Sequence, residues 1–124
     1  EADELYLSGS SAGGTGVLIN LDLVADLVAE LSPSSPPRLS VRGIADSGWF
    51  LDNTPFTNNQ FDASPVGAVH TGVRLWQSKV PAKCEERYPG QEKWNCFFGY
   101  KIYPLLKRKL KKAIVFKNQP RIFN

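Results

Sequence analysis

The pentapeptide Gly9-Ser10-Ser11-Ala12-Gly13 fits the pattern G-x-S-x-G, whose residue types and spacing suit attack by a serine hydroxyl on an acyl carbon. The pattern works where a strand bends sharply into a helix. The bend thrusts the central serine outward and leaves little room two positions away on either side. Gly9 and Gly13 stand at those positions, and glycine adds no Cβ to crowd the turn. Ser11 is therefore the candidate nucleophile. A helix starting just beyond it would aim free N–H groups and a positive dipole end at the reacting centre, with the Ala12 N–H as first donor to an oxyanion.

The flanking residues supply that context. Residues 4–8 read as a buried strand. From Gly14 to about Leu31, the positions Val17, Leu18, Leu21, Val24, Ala25, Val28 and Leu31 recur at helical spacing and form one stripe. Ser32-Pro33-Ser34-Ser35-Pro36-Pro37 then ends the helix, because proline cannot continue it. Leu39-Ser40-Val41 follows as a short strand. The order β-α-β predicts an α/β fold with two parallel strands joined by a right-handed crossover. Two other readings of the glycine-rich stretch compete. One is a flexible linker. The other is a phosphate-cradling loop, but that motif ends in Gly-Lys-Ser/Thr and no lysine precedes Lys79.

Residues 42–52 lie beyond the carboxyl end of the second strand, where open α/β sheets place ligand-contacting loops. Trp49 and Phe50 there read as a cap on the core or as the lining of a pocket. Asp46 and Asp52 read as loop hydrogen-bonders or helix caps. Residues 54–64 are polar and read as a surface loop. Ser64-Pro65 reads as N-cap and first turn of a helix through Val66, Val69, Val73 and Trp76. His70 falls off that stripe. It is the chain's single histidine, hence its one available histidine base, and it reads as a solvated surface residue. Residues 79–94 form a charged connector. The aromatic-dense stretch from Trp94 to Pro104 reads as core before ligand wall or stacking platform. Nothing here calls for a metal or another cofactor.

The net charge of +3 averages two unlike regions. Residues 1–100 carry all 12 acidic residues and 7 basic ones, a balance of −5. Residues 101–124 carry 8 basic residues and no acid, +8. An acidic body makes nucleic acid the weakest partner class, while the cluster Lys107-Arg108-Lys109-Leu110-Lys111-Lys112 suits sulfated glycans or acidic surfaces. No unbroken run of eighteen apolar residues occurs, so no transmembrane helix is expected. The acidic start Glu1-Ala2-Asp3-Glu4 is unlike a secretory signal and is expected to lie within a fold. Cys84 and Cys96 would close a short loop if paired, and their number alone leaves their redox state open.

Three stretches in register carry a family resemblance: Gly9 to Gly16, Arg42-Gly43-Ile44-Ala45-Asp46-Ser47-Gly48-Trp49-Phe50-Leu51-Asp52-Asn53, and Trp94-Asn95-Cys96-Phe97-Phe98-Gly99-Tyr100-Lys101. Over roughly residues 4–106 the chain resembles a segment of the secreted carboxylesterases of the pectin acetylesterase family. The resemblance implies a partial α/β-hydrolase fold over 1–106, with the strand-elbow-helix, one further strand and lid or pocket helices, followed by a divergent basic tail over 107–124. It implies removal of palmitoleate from a serine of Wnt proteins, with Ser11 as nucleophile and Ala12 as oxyanion N–H. It makes Phe50, Pro65, Val69, Phe97 and Phe98 the apolar wall of a lipid pocket, against the core reading of those aromatics. It also implies a disulfide between Cys84 and Cys96 and an extracellular setting.

The departures from the family are equally specific. Its triad acid and histidine lie further along than this sequence extends, so neither Asp46 nor His70 inherits those roles. Its oxyanion tryptophan lies before Glu1, a second cysteine pair expected around Gln60 to Ser64 is missing, and the resemblance stops near Lys107. The chain is therefore expected to be a truncated or mis-spliced product, or the product of an unsound gene model, with esterase activity barely above background. A non-catalytic decoy that binds lipid or sulfated glycan is the alternative from a different functional class.

Overall fold

The computed structural model describes residues 3–31, 39–53, 65–107 and 112–114. Strand β1, Glu4–Ser10, leads through Ser11 into helix α1, Ala12–Leu31, and the chain returns as β2, Ser40–Asp46. After α2, Pro65–Leu75, come α3, Ala82–Arg87, a 3-10 helix over Gly90–Phe97, the short α4, Gly99–Ile102, a 3-10 turn over Tyr103–Leu105, and strand β3, Lys112–Ile114. The strands form a sheet in the order β1-β2-β3, with both pairings parallel. Glu4 sits opposite Ser40 and Ser10 opposite Asp46. The α/β class and the parallel β-α-β unit are as the spacing predicts.

Helix α1 lies across the sheet because its apolar residues recur every three or four positions. Val17, Leu18, Leu21 and Ala25 are buried, with Val24 and Val28 packed beside them. They meet Val41 and Ala45 from β2, whose burial alternates as expected for a strand covered on one face. Leu18 and Leu21 are fully buried, each stabilising the fold by roughly 1.5–3 kcal/mol. Cys84, Cys96, Ile102 and Leu106 close the same core from the helical side. The buried Asp22 carboxylate accepts the Lys107 N–H at 2.9 Å, tying the segment after α4 to α1.

Four expectations change. The first strand is not buried: Leu5 and Tyr6 are exposed, because α1 covers one face only and, among the described residues, β1 is paired along one edge. Leu31 leaves the buried stripe and is 74% exposed, since the helix outruns the sheet beneath it. The second strand runs on from Val41 through Arg42, Gly43, Ile44 and Ala45 into the expected loop and ends at Asp46, because each of these residues finds a register partner on β1. A third strand, β3, pairs with β2, so β2 is central rather than an edge.

The expected connector is also more ordered, holding α3 and most of the long 3-10 helix. By length and composition α1 is apolar enough to cross a membrane, although no unbroken apolar run exists. In this structure it serves as the helix over the sheet, with Asp22 buried on its inner side. The loops read over 32–37 and 54–64, the Ser64 cap and most of the basic tail lie outside the described residues.

Candidate active site

Ser11 is the single residue between β1 and α1, and its φ of 55° places it in the left-handed region. For a residue with a Cβ this conformation costs roughly 1–2 kcal/mol and persists only where the surroundings enforce it. Two sets of bonds enforce it here. The Ser11 N–H donates to the Asp46 carbonyl at 2.8 Å, and the Ser11 carbonyl accepts from the N–H groups of Gly14 at 2.9 Å and Thr15 at 3.3 Å. The first bond holds the turn to the end of β2, and the others begin α1. Ser11 and Ala12 are both exposed, and Ala12 opens the helix, where backbone N–H groups lack partners within the helix.

The glycines divide the steric work differently from the motif. A Cβ on Gly9 would lie 2.3 Å from the Gly13 carbonyl oxygen, so Gly9 is demanded by close approach. A Cβ on Gly13 would meet nothing within 4 Å, so Gly13 contributes its backbone rather than its lack of a side chain. The second tight position is Gly14, where a Cβ would fall 2.8 Å from the Gly48 Cα. The Thr15 hydroxyl donates to the Gly48 carbonyl at 3.2 Å and reinforces that contact. The loop after β2 therefore braces the turn after β1.

Asp46 is the register partner of Ser10, and its carboxylate accepts from the hydroxyls of Ser10 at 3.2 Å and Ser47 at 2.9 Å. Ser47 follows Asp46 with a φ of 52°, so β1 and β2 are each followed directly by a left-handed serine. Sequence reasoning did not single out Ser47. The signal was the run Asp-Ser-Gly at a strand end, which becomes informative once β2 is known to reach Asp46.

The expected apolar wall is dispersed in depth. Phe50 is 41% exposed, whereas its neighbour Trp49 packs on the core and meets Tyr103 edge-on at 5.8 Å. The pair therefore splits, one ring capping the core and the other facing outward. Val69 on α2 and Phe97 at the end of the 3-10 helix are half-buried, and Phe98 is 1% exposed, inside the packing. Pro65 begins α2, and its side chain lies outside the described residues.

His70 is not a solvated residue. It is half-buried with its ring edge-on to Trp94 at 6.2 Å, because that face of α2 packs on the 3-10 helix. Among the described residues no hydrogen bond joins it to Ser11. Cys84 and Cys96 form a disulfide, both fully buried. Among the described residues no cluster of three potential metal ligands occurs.

Asp52 makes the densest polar contacts near this region. Its carboxylate accepts from Lys101 Nζ and from the Tyr100 hydroxyl, each at 2.5 Å. The hydrogen bond from Lys101, followed by that from Tyr100, holds the Asp52 carboxyl below its ordinary range despite opposing burial. Burial pulls the Lys101 ammonium down, but its bonds to Asp52 and Tyr100 outweigh this and leave it raised. The bond to Asp52, with burial second, raises the Tyr100 phenol.

Comparison with known proteins shows which proteins this chain is similar to. The chain is 51% identical over 110 residues to palmitoleoyl-protein carboxylesterase notum1 of Xenopus laevis, covering 86% of this chain and 22% of that relative. It is 48% identical over 110 residues to palmitoleoyl-protein carboxylesterase NOTUM of Mus musculus, again 86% of this chain and 21% of the relative. The Drosophila melanogaster NOTUM is 44% identical over 107 residues, 86% of this chain and 15% of the relative. The chain thus spans about a fifth of the length of the curated relatives it matches. A model of the pectinacetylesterase family matches residues 1–110, and the chain belongs to that family.

Proposed function

We propose that this chain carries the nucleophile segment of an α/β-hydrolase serine carboxylesterase that removes palmitoleate from a serine of Wnt proteins. In this reading Ser11 attacks the acyl carbon, the Ala12 N–H donates to the oxyanion, the substrate's ester C–O bond breaks and its serine leaves as the alcohol, and water then hydrolyses the Ser11 ester to release the fatty acid. Phe50, Pro65, Val69, Phe97 and Phe98 belong to the wall that receives the acyl chain, Phe98 from within the packing. The buried disulfide suits an oxidising, extracellular setting.

The observation that carries this reading is the left-handed Ser11, exposed between a strand and a 20-residue helix and held there by its backbone bonds to Asp46, Gly14 and Thr15. Of the two exposed left-handed serines, Ser47 opens onto a loop, whereas Ser11 stands at a helix N-terminus, where strain has a reason in presenting a nucleophile beside backbone N–H donors. The names of the relatives supply a palmitoleoyl-protein as the substrate class, and the family resemblance supplies the serine of Wnt proteins. By family resemblance neither Asp46 nor His70 serves as the triad acid or base. His70 is held against Trp94 instead.

The test is a chimaera in which residues 1–110 replace the matching segment of the mouse relative. It should hydrolyse a palmitoleoylated serine peptide, and Ser11→Ala should lower kcat at least ~10³-fold with little change in folding. A folded chimaera whose hydrolysis survives Ser11→Ala would refute the assignment. The 124-residue chain alone should hydrolyse p-nitrophenyl esters barely above background, and a robust rate there would require another base.

A further inference from the structure

The segment Trp49–Asp52 is fastened at both ends to one short stretch of chain. At one end the Trp49 indole lies where a Gly99 Cβ would be, 2.7 Å from the ideal position, and meets Tyr103 edge-on. At the other, Asp52 binds Tyr100 and Lys101. Phe50 and Leu51 span the interval, and the Phe50 ring stands outward.

Lys101 is held from every side. Its ammonium bonds Asp52 at 2.5 Å and the Asn95 side-chain carbonyl oxygen at 2.6 Å, and lies 5.1 Å from the Trp94 ring centroid and 5.5 Å from those of Phe98 and Tyr100. Asn95 is itself fixed: its amide nitrogen donates to the Glu92 carbonyl at 2.8 Å, and it adjoins the disulfide residue Cys96. A surface ion pair would contribute little, but this one is mostly enclosed, with side chains 16% and 22% exposed, and it belongs to a network. Rings around a partly desolvated ammonium strengthen it further.

We propose that Asp52 and Lys101 are a positioning pair that locks the Phe50 segment to the disulfide-bonded helical layer, keeping the Phe50 ring outward where an acyl chain can pack on it. The lock stands on the geometry above, and its acyl-binding role rests on the function proposed for Ser11. Neither residue touches the reacting atoms. Asp52 acts through the backbone of 49–52, and Lys101 acts through Asp52. A carboxylate and an ammonium suit the task because an apolar contact would allow the loop to slide, whereas charged hydrogen bonds fix direction as well as distance.

The experiment compares amide hydrogen exchange and palmitoleic acid binding in the 124-residue chain and its variants. Asp52→Asn and Lys101→Met should each speed exchange over 48–53 at least ~10-fold while exchange over 17–25 in α1 stays unchanged, and should weaken palmitoleic acid binding at least ~5-fold by tryptophan fluorescence. Lys101→Arg, which keeps the charge and can stack on the rings, should restore most of the protection. Phe50→Ala should weaken binding without altering exchange over 48–53. Unchanged exchange over 48–53, or an equal rise over 17–25, would overturn the lock. If the unsubstituted chain fails to bind palmitoleic acid while the exchange results hold, the acyl wall is wrong and the lock stands.

Discussion

Gly14 at the start of α1 and Gly48 after β2 touch backbone to backbone: a Cβ added to Gly48 would lie 2.6 Å from the Gly14 Cα, and one added to Gly14 would lie 2.8 Å from the Gly48 Cα. This contact holds the helix behind Ser11 against the loop that leads to Phe50. Two backbones cannot yield as the end of a flexible side chain can, so added atoms must separate the elements. Gly14→Ala and Gly48→Ala should each destabilise by about 1–3 kcal/mol, the usual cost of overpacking. Gly13→Ala, whose Cβ meets open space within a helix, should be neutral or stabilising by up to about 1 kcal/mol. Urea unfolding of the three variants checks both signs.

Ser11 stores strain that glycine would release. Its left-handed conformation costs roughly 1–2 kcal/mol, and the added freedom of glycine in the unfolded chain costs back roughly 0.5–1 kcal/mol. The difference leaves Ser11→Gly more stable by up to about 1.5 kcal/mol while removing the hydroxyl. A higher melting temperature together with lost hydrolysis in the chimaera is the expected pairing.

The disulfide joins residues 12 apart and sits in the core. Closing a loop of that length stabilises by about 3 kcal/mol in the chain-entropy account. For a chain of this size, reduction should lower the melting temperature by roughly 10 °C. Thermal unfolding of the oxidised chain and of the Cys84→Ser/Cys96→Ser double variant measures the drop.

The Asp52–Lys101 pair should weaken at both extremes of pH. A carboxyl depressed in the fold contributes fully above its unfolded value of about 3.9 and loses that contribution as pH falls through the folded value. A raised lysine contributes fully below its unfolded value of about 10.4 and loses it as pH rises through the folded value. The stability gap between the unsubstituted chain and Asp52→Asn should therefore be widest between about pH 5 and 10 and shrink below about pH 4. Paired melting curves from about pH 3 to 8 test the acid limb, and a gap that grows on acidification would contradict it.

The residues alone determined the local grammar. G-x-S-x-G between apolar strand residues and a helical stripe specified strand, bend and helix, because both signals depend on neighbours a few positions apart. They also specified which family the three motifs resemble, and Pro65 as the start of α2. The tertiary structure decided what depends on distant atoms: that Gly14 rather than Gly13 is the second crowded glycine, that β2 reaches Asp46, that His70 packs on Trp94, and that Trp49 turns inward while Phe50 faces out. It also joined Asp52 to Lys101 across 49 residues. No local pattern encodes such a pairing, because its strength comes from the rings and the backbone that enclose it, and these meet only once the sheet and the helical layer have packed.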